Sequence, residues 1–276
     1  MLECFCKFAD ILTDNKHLQE EQMEPTYPIL EFDNCREAVI EPLCANPEIN
    51  VPEKAVLCFF NDVINTLVED GQASILFSCK SEMGQHPVYE IEWAGQRMLL
   101  FQPGMGAPFA AAFLEEVIAH GCRKFIVCGG CGVLDREIAL GHVIVPTGAI
   151  RDEGTSYHYL PPGQEAAPTN SALLAIENTL KDMEVEYLKT KTWTTDGVFR
   201  ETRAKVNRRL AEGCLTVEME AAALFAVAQF RGVELGQVLY AGDDLSGDLW
   251  DSRNWTKYSS GREKLFRIAV GACVRL

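Results

Sequence analysis

The chain has 276 residues, 47% of them hydrophobic, with a formal net charge of −15 and a sequence pI of about 4.8. That apolar content supports a sizeable core, in one large α/β domain or two small ones. The acidity argues against a nucleic-acid binder, which needs a basic patch, and against attachment to an anionic membrane surface.

Residues 1–50 hold eleven acidic residues against three basic ones. Leu2, Phe5, Cys6, Ala9 and Leu12 recur at helical spacing, so a short amphipathic helix is predicted there. Residues 1–13 also carry Glu3, Lys7 and Asp10, which interrupt the apolar core a signal peptide needs. Pro25, Pro28, Pro42, Pro47 and Pro52 break any longer element. The segment reads as an acidic arm, laid over the domain at 51–276 or a neighbouring subunit; a partly disordered tail is the other reading.

Regular alternation begins near residue 54. Strands are predicted at 55–60, 75–79, 88–93 and 97–102, with a helix at 62–69 after the first. A helix at 107–120 precedes a strand at 124–128, which ends in the turn Gly129-Gly130-Cys131-Gly132. A strand at 142–146 leads into a polar, aromatic loop at 148–168. A helix at 171–183, a strand at 187–193 and a helix at 203–212 follow. Residues 215–217 enter a helix that is apolar all round from Ala221 to Ala228, the mark of a buried helix. A strand at 235–241 and a helix at 262–274 close the chain. This alternation predicts an α/β fold: a single three-layer α/β/α domain on a largely parallel, mixed sheet. No apolar run reaches membrane-spanning length, and a cytoplasmic protein is expected.

The eleven cysteines are scattered, many in apolar stretches, and read as free thiols in a reducing compartment. Cys128 and Cys131 have CxxC spacing but no second pair, so no zinc site is expected; a redox role is the minor alternative. His142 and His158 lack metal-site spacing, and no metal is expected.

In open α/β sheets, ligands sit at the carboxyl ends of strands. Four such ends carry unusual chemistry: Gly104-Met105-Gly106, Gly129 to Gly132, Thr194-Thr195-Asp196, and Gly242-Asp243-Asp244. They are expected to converge on one cleft beside Met219 and Glu220. Glu218 and Glu220 stand at the mouth of the buried helix, where carboxylates are costly without polar partners. A ligand bearing hydroxyls would supply them; seats in the first helical turn, facing the helix dipole, are the other reading. Asp243 and Asp244 are adjacent carboxylates; in a partly buried site such a pair is expected to hold a proton, which suits a general acid, and a helix N-cap is the alternative. Phe199, after Thr194-Thr195-Asp196-Gly197-Val198, could stack on a flat heterocycle or belong to the core. Arg151 and Glu153 could pair on the surface or read the edge of a bound base. The glycine turns could present amide hydrogens to an oxyanion, although neither fits a dinucleotide or P-loop fingerprint.

The stretches VEMEAAALFAVA at 217–228, GMGAP at 104–108 and CGGCGVL at 128–134, with the strand end at Asp243, together resemble the nucleoside phosphorylase superfamily. That superfamily holds purine nucleoside and uridine phosphorylases and related nucleosidases. RDEGTSYHYLPP and WTTDGVFRET look like a bacterial uridine-phosphorylase-like subgroup. The resemblance covers roughly residues 52–274. It implies that Glu220 holds the ribose hydroxyls, with Met219 packed on the sugar and Met105 touching it from the opposite side. Glu218 would lie near base or sugar, Phe199 would stack on the base, and Asp243 would protonate or hydrogen-bond a purine leaving group. It implies a nucleoside substrate, no metal or organic cofactor, phosphate as co-substrate for phosphorolysis, and a homo-oligomer of dimer or hexamer type.

The departures concern phosphate. Phosphorylases of this kind carry an arginine before the glycine turn and a serine or threonine within it; Val127 and Gly130 stand there. Phe59-Phe60-Asn61-Asp62 replaces the early glycine and arginine. Either Gly129 and Gly130 hold phosphate with a substitute cation (Arg151, Arg200, Arg203, or one from a neighbouring subunit), or water is the nucleophile. The expected functions are phosphorolysis first, hydrolysis second, and nucleoside binding without turnover third.

Overall fold

The computed structural model describes residues 27–42 and 49–276. Its elements are β1 (Lys54–Cys58), α1 (Asn61–Glu69), β2 (Ala73–Ser81), β3 (Gly84–Trp93), β4 (Gln96–Phe101) and α2 (Ala107–Ala119). Then come β5 (Lys124–Val133), β6 (Val143–Asp152), β7 (Glu165–Ala166), α3 (Asn170–Asp182), β8 (Tyr187–Thr195) and α4 (Arg203–Ala211). The chain finishes with β9 (Cys214–Glu218), α5 (Ala221–Arg231), β10 (Glu234–Asp244) and α6 (Ser259–Arg275).

All ten strands join one sheet, in the order β10-β6-β8-β9-β5-β1-β4-β3-β2, with β7 beside β6. Strand β10 also pairs with β5, so β10, β6, β8, β9 and β5 close into a ring. Parallel pairing joins β1 to β4 and β5, β5 to β10, β6 to β8, and β8 to β9. The remaining pairings are antiparallel: the hairpins β2–β3 and β3–β4, the short β6–β7 contact, and the ring closures β5–β9 and β6–β10.

The layers follow from side-chain alternation along the central strands. Ala55, Leu57, Leu99, Phe101, Phe125 and Val127 face one way and pack under α2 and α5. Val56, Cys58, Met98, Leu100, Ile126 and Cys128 face the other way, under α1, α3 and α6. Strands buried on both faces read as continuous apolar runs, which is how these appear in the sequence. Each large side chain buried in this way contributes about 1.5–3 kcal/mol. Among the described residues, no helix is long and apolar enough to cross a membrane.

Two predicted turns are strand. Residues 129–131 stay in β5, in register with Leu239, Tyr240 and Ala241 of β10, and Gly132 pairs with Val217. The predicted loop at 148–168 begins as strand too: β6 runs on to Asp152, pairing with β8 at Arg151↔Thr194 and Asp152↔Thr195. The cysteines of the CxxC sequence point to opposite faces of β5, Cys128 beneath α6 and Cys131 toward Leu239 and Ala241, and both are buried free thiols. Of the arm, residues 27–42 lie on the domain surface. Arg36 donates to the Phe230 carbonyl at 2.5 Å and sits over its ring, and Glu41 approaches Arg231 at 3.7 Å. The helix predicted around Leu2–Leu12 falls outside the described residues.

Candidate active site

A cavity of about 540 Å³ opens where the strand ends meet. Gly129 to Gly132 of β5 form its floor, and Val217 to Glu220 form one wall. The end of β10, from Leu239 to Asp243, forms another. Val198, Glu201, Met105, Asn61, Asp62 and Arg262 also line it. Three of the four predicted strand ends therefore converge on it. The fourth lies just behind: Thr194 is buried against Glu218, and Asp196 turns away to accept the Gly154 N–H at 2.8 Å.

The glycines of β5 admit close neighbours. A Cβ on Gly130 would stand 3.3 Å from the Tyr240 ring, and one on Gly132 would stand 2.6 Å from Leu245 and 3.5 Å from Oδ1 of Asp243. The floor at Gly129 and Gly130 is thus pressed by the rings of Phe59 and Tyr240 and held in an extended ladder. It is not the turn expected from its glycines, because pairing with β10 keeps the strand extended.

The two glutamates beside Met219 have separate tasks. Glu218, the last residue of β9, accepts the Thr194 hydroxyl at 2.6 Å on Oε1. Its Oε2 accepts the backbone N–H groups of Glu220 and Ala221 at 2.8 and 2.6 Å. Thr194 Oγ1 in turn accepts from Ala222 N at 3.0 Å. Glu218 and Thr194 together cap the amides that open α5, which no helical carbonyl can reach. Both oxygens of Glu218 are thereby engaged from the end of β9, and not from a seat in the first helical turn. Glu220 instead reaches across the cavity wall, where Oε1 accepts the Gly106 N–H at 2.6 Å. Gly104 and Gly106 have φ of +81° and +91°, which is why this bend before α2 is glycine-rich. Burial pushes both carboxyls up from the ordinary range. For Glu218 the bonds from Thr194 and the two amides pull back; for Glu220 the charge of Glu218 adds to the rise.

Asp243 lines the cavity, and its Oδ2 accepts the indole N–H of Trp250 at 2.6 Å. Its expected partner Asp244 is elsewhere: Arg253 bonds it at 2.5 Å and Ser246 N at 2.7 Å. Burial pushes the Asp244 carboxyl up, but the Ser246 bonds and the Arg253 charge outweigh this and hold it below its usual value. Among the carboxylates that line the cavity, Glu201 is one that feels the charge of Asp243; it gives no signal in the sequence beside Phe199, two positions earlier. Burial, then the negative charge of Asp243, push Glu201 up to about 7.

Two predicted ligand residues do not enter the cavity. Phe199 lies in a short 3-10 turn that carries its ring outward, 96% exposed, and Val198 and Glu201 face inward in its place. Arg151 is buried under the residues that follow it. Its guanidinium bonds Ser156 Oγ at 2.8 Å and the carbonyls of Pro161 and Leu160 at 2.8 and 3.1 Å, and it stacks on Tyr157. It organises residues 156–161 from within and, buried there, does not line the cavity. Met105 lines the cavity while 78% exposed, and Met219 is half-buried in its wall.

The charge in the cavity is lopsided. Asp62, Glu201, Glu218, Glu220 and Asp243 face a single cation among the described residues, Arg262. Arg262 gives its guanidinium to Asp62 at 3.0 Å and to the carbonyls of Trp255 and Thr256 at 3.3 and 3.4 Å. Arg203, one of the substitute cations considered above, is spent on the carbonyls of Leu245, Ser246 and Gly247. Such a cavity favours ligand parts that donate hydrogen bonds or carry positive charge, and offers one guanidinium to an anion.

The chain is 28% identical over 198 residues to guanosine phosphorylase of Halorubrum lacusprofundi, spanning 70% of this chain and 82% of that protein. It is 33% identical over 147 residues to uridine phosphorylase of Treponema pallidum, spanning 49% of this chain and 57% of that relative. The crystal structure of AMP nucleosidase from Bacteroides thetaiotaomicron superposes with a TM-score of 0.66 at 25% identity, covering 81% of this chain and 88% of that one. Residues 54–270, from the first strand to the last helix, match the phosphorylase superfamily as a whole, and the chain belongs to that family.

Proposed function

We propose that this protein cleaves the N-glycosidic bond of a nucleoside, a purine ribonucleoside first, by phosphorolysis to free base and ribose 1-phosphate. The observation that carries the reading is the sharing of one cavity by Glu220 and Asp243. Breaking the bond sends its electron pair to the base and leaves positive charge on the sugar. Glu220 takes the ribose hydroxyls and favours that charge; Met219 and Met105 enclose the sugar. Asp243 passes a proton to the departing base nitrogen, and a phosphate oxygen forms the new bond to C1′. Arg262 is the cation that would meet the phosphate. These steps need no metal or organic cofactor. The purine preference rests on the carboxyls of Asp243 and Glu201 at the base end, since a purine ring nitrogen can take the proton. The likeness to a guanosine phosphorylase supports it.

A second reading has water in place of phosphate. The pairing of Arg262 with Asp62, among four further carboxylates, favours it, because a phosphate dianion meets repulsion there. The likeness to an AMP nucleosidase points the same way. The test is incubation of the purified protein with inosine, guanosine, adenosine and uridine, with and without inorganic phosphate, following base and ribose 1-phosphate. Phosphate-dependent release is expected. Release independent of phosphate would overturn phosphorolysis in favour of hydrolysis. Binding without turnover across the panel would overturn both and leave a nucleoside-binding protein.

A further inference from the structure

The two oxygens of Asp243 have different surroundings. Oδ2 accepts the Trp250 indole N–H at 2.6 Å. Oδ1 lies over Gly132, a floor residue of the cavity, 3.5 Å from where a Cβ on that glycine would stand. An indole nitrogen only donates. The carbonyl oxygen of a carboxylic acid accepts better than its hydroxyl oxygen, so a donor fixed on Oδ2 biases the acidic proton to Oδ1. No guanidinium competes for this place, because Arg262 is turned to Asp62 and two carbonyls.

The segment carrying Trp250 is anchored for this contact. Asp244 and Asp251 exchange backbone hydrogen bonds of 2.8 and 3.0 Å, closing a loop from the end of β10 back onto itself. Arg253 clamps the same Asp244, and Arg203 gathers the carbonyls of Leu245, Ser246 and Gly247. The Trp250 ring is 63% exposed and is no wall of the cavity, so packing does not explain its position.

We propose that Trp250 is a positioning residue that occupies Oδ2 of Asp243 and leaves its acidic proton on Oδ1, facing the departing base. This rests on the reading above in which Asp243 is the proton donor. As the C1′–N bond breaks, its electron pair goes to the base nitrogen and the Oδ1 proton follows. Asp243 is left as a carboxylate that the indole N–H stabilises.

The test pairs Trp250→Phe with two substrates: the best purine ribonucleoside of the panel, and p-nitrophenyl riboside, whose phenolate leaves without a proton. The variant is expected to lose about tenfold or more in kcat for the nucleoside, with KM little changed, and less than about twofold for the aryl riboside. Equal losses on both substrates, or none on either, would overturn the proposal. The indole N–H resonance that disappears in Trp250→Phe gives a second readout without turnover. It is expected to exchange faster with solvent in Asp243→Ala, and an unmoved resonance would overturn the contact. Should the native protein cleave no nucleoside, the proposed function fails, and the resonance alone decides whether Trp250 holds Asp243.

Discussion

The backbone N–H of Gly106 meets Oε1 of Glu220 at 2.6 Å, joining the residue before α2 to the residue before α5 across 114 positions of sequence. The carboxylate expected to grip the sugar is thereby held by a backbone group of the same bend that carries Met105. A change at either end of this bond should be felt at both.

Glu220→Ala is expected to abolish turnover of ribosides while preserving the fold. Glu220→Gln keeps an acceptor for Gly106 but no charge. Because burial raises this carboxyl, the folded state retains a proton that the unfolded chain has already released above the ordinary carboxylate range. The group's contribution to stability is therefore full at low pH and declines as pH climbs through neutrality. The Gln variant should be inactive yet more stable than the native protein at pH 8, by about 1–2 kcal/mol, as read by thermal unfolding. Equal stability of the two at pH 8 would contradict the assignment.

Thr194→Val should separate capping from catalysis. It removes a donor to Glu218 and an acceptor for Ala222 N, two buried bonds at the start of α5. The expected cost is about 1–3 kcal/mol in denaturant unfolding. KM for the nucleoside should change less than about threefold, because the valine touches no ligand. A large rise in KM at full stability would place Thr194 in the sugar site.

Glu201→Gln tests the acid pair at the base end. Glu201 is pushed up to about 7, so above neutrality it places a negative charge beside a leaving group that itself gains negative charge. Native kcat/KM is expected to fall as pH rises through 7, and the Gln variant should flatten that limb. An unchanged pH profile would remove Glu201 from the chemistry.

Arg151→Met should act on stability alone. The loss of a buried guanidinium strands the carbonyls of Leu160 and Pro161 and the Ser156 hydroxyl, at an expected cost of about 2–4 kcal/mol. Kinetic constants measured below the lowered melting temperature should stay within about twofold of native.

The sequence showed best what depends on local pattern. The alternation of buried strands and helices, the all-apolar α5 and the convergence of three strand ends were all legible from residue order. Trp193, which ends a predicted strand, is fully buried. What escaped depended on pairing. Glycine normally signals a turn, but Gly129 to Gly132 remain strand because β10 lies alongside them. Arg151 looked like a loop cation, yet β6 carries it beneath its own following residues. Glu201 and Trp250 give no signal on their own, since each matters only because a later or earlier strand end brings Asp243 to it. The adjacency of Asp243 and Asp244 misled for the same reason: successive residues on a strand point to opposite sides.

The ring made by β10, β6, β8, β9 and β5 also constrains how this protein can vary. A one-residue slip in any member must be matched around the whole circle, so the register of every strand is locked by its neighbours. Glu218 ends one member of that circle and Asp243 sits near the end of another, so their separation is fixed by ladders and not by the connecting segments. Insertions in the stretch between β6 and β7, or beyond Asp251, should leave the spacing of these carboxylates untouched, while a single deletion inside β9 or β10 should erase it.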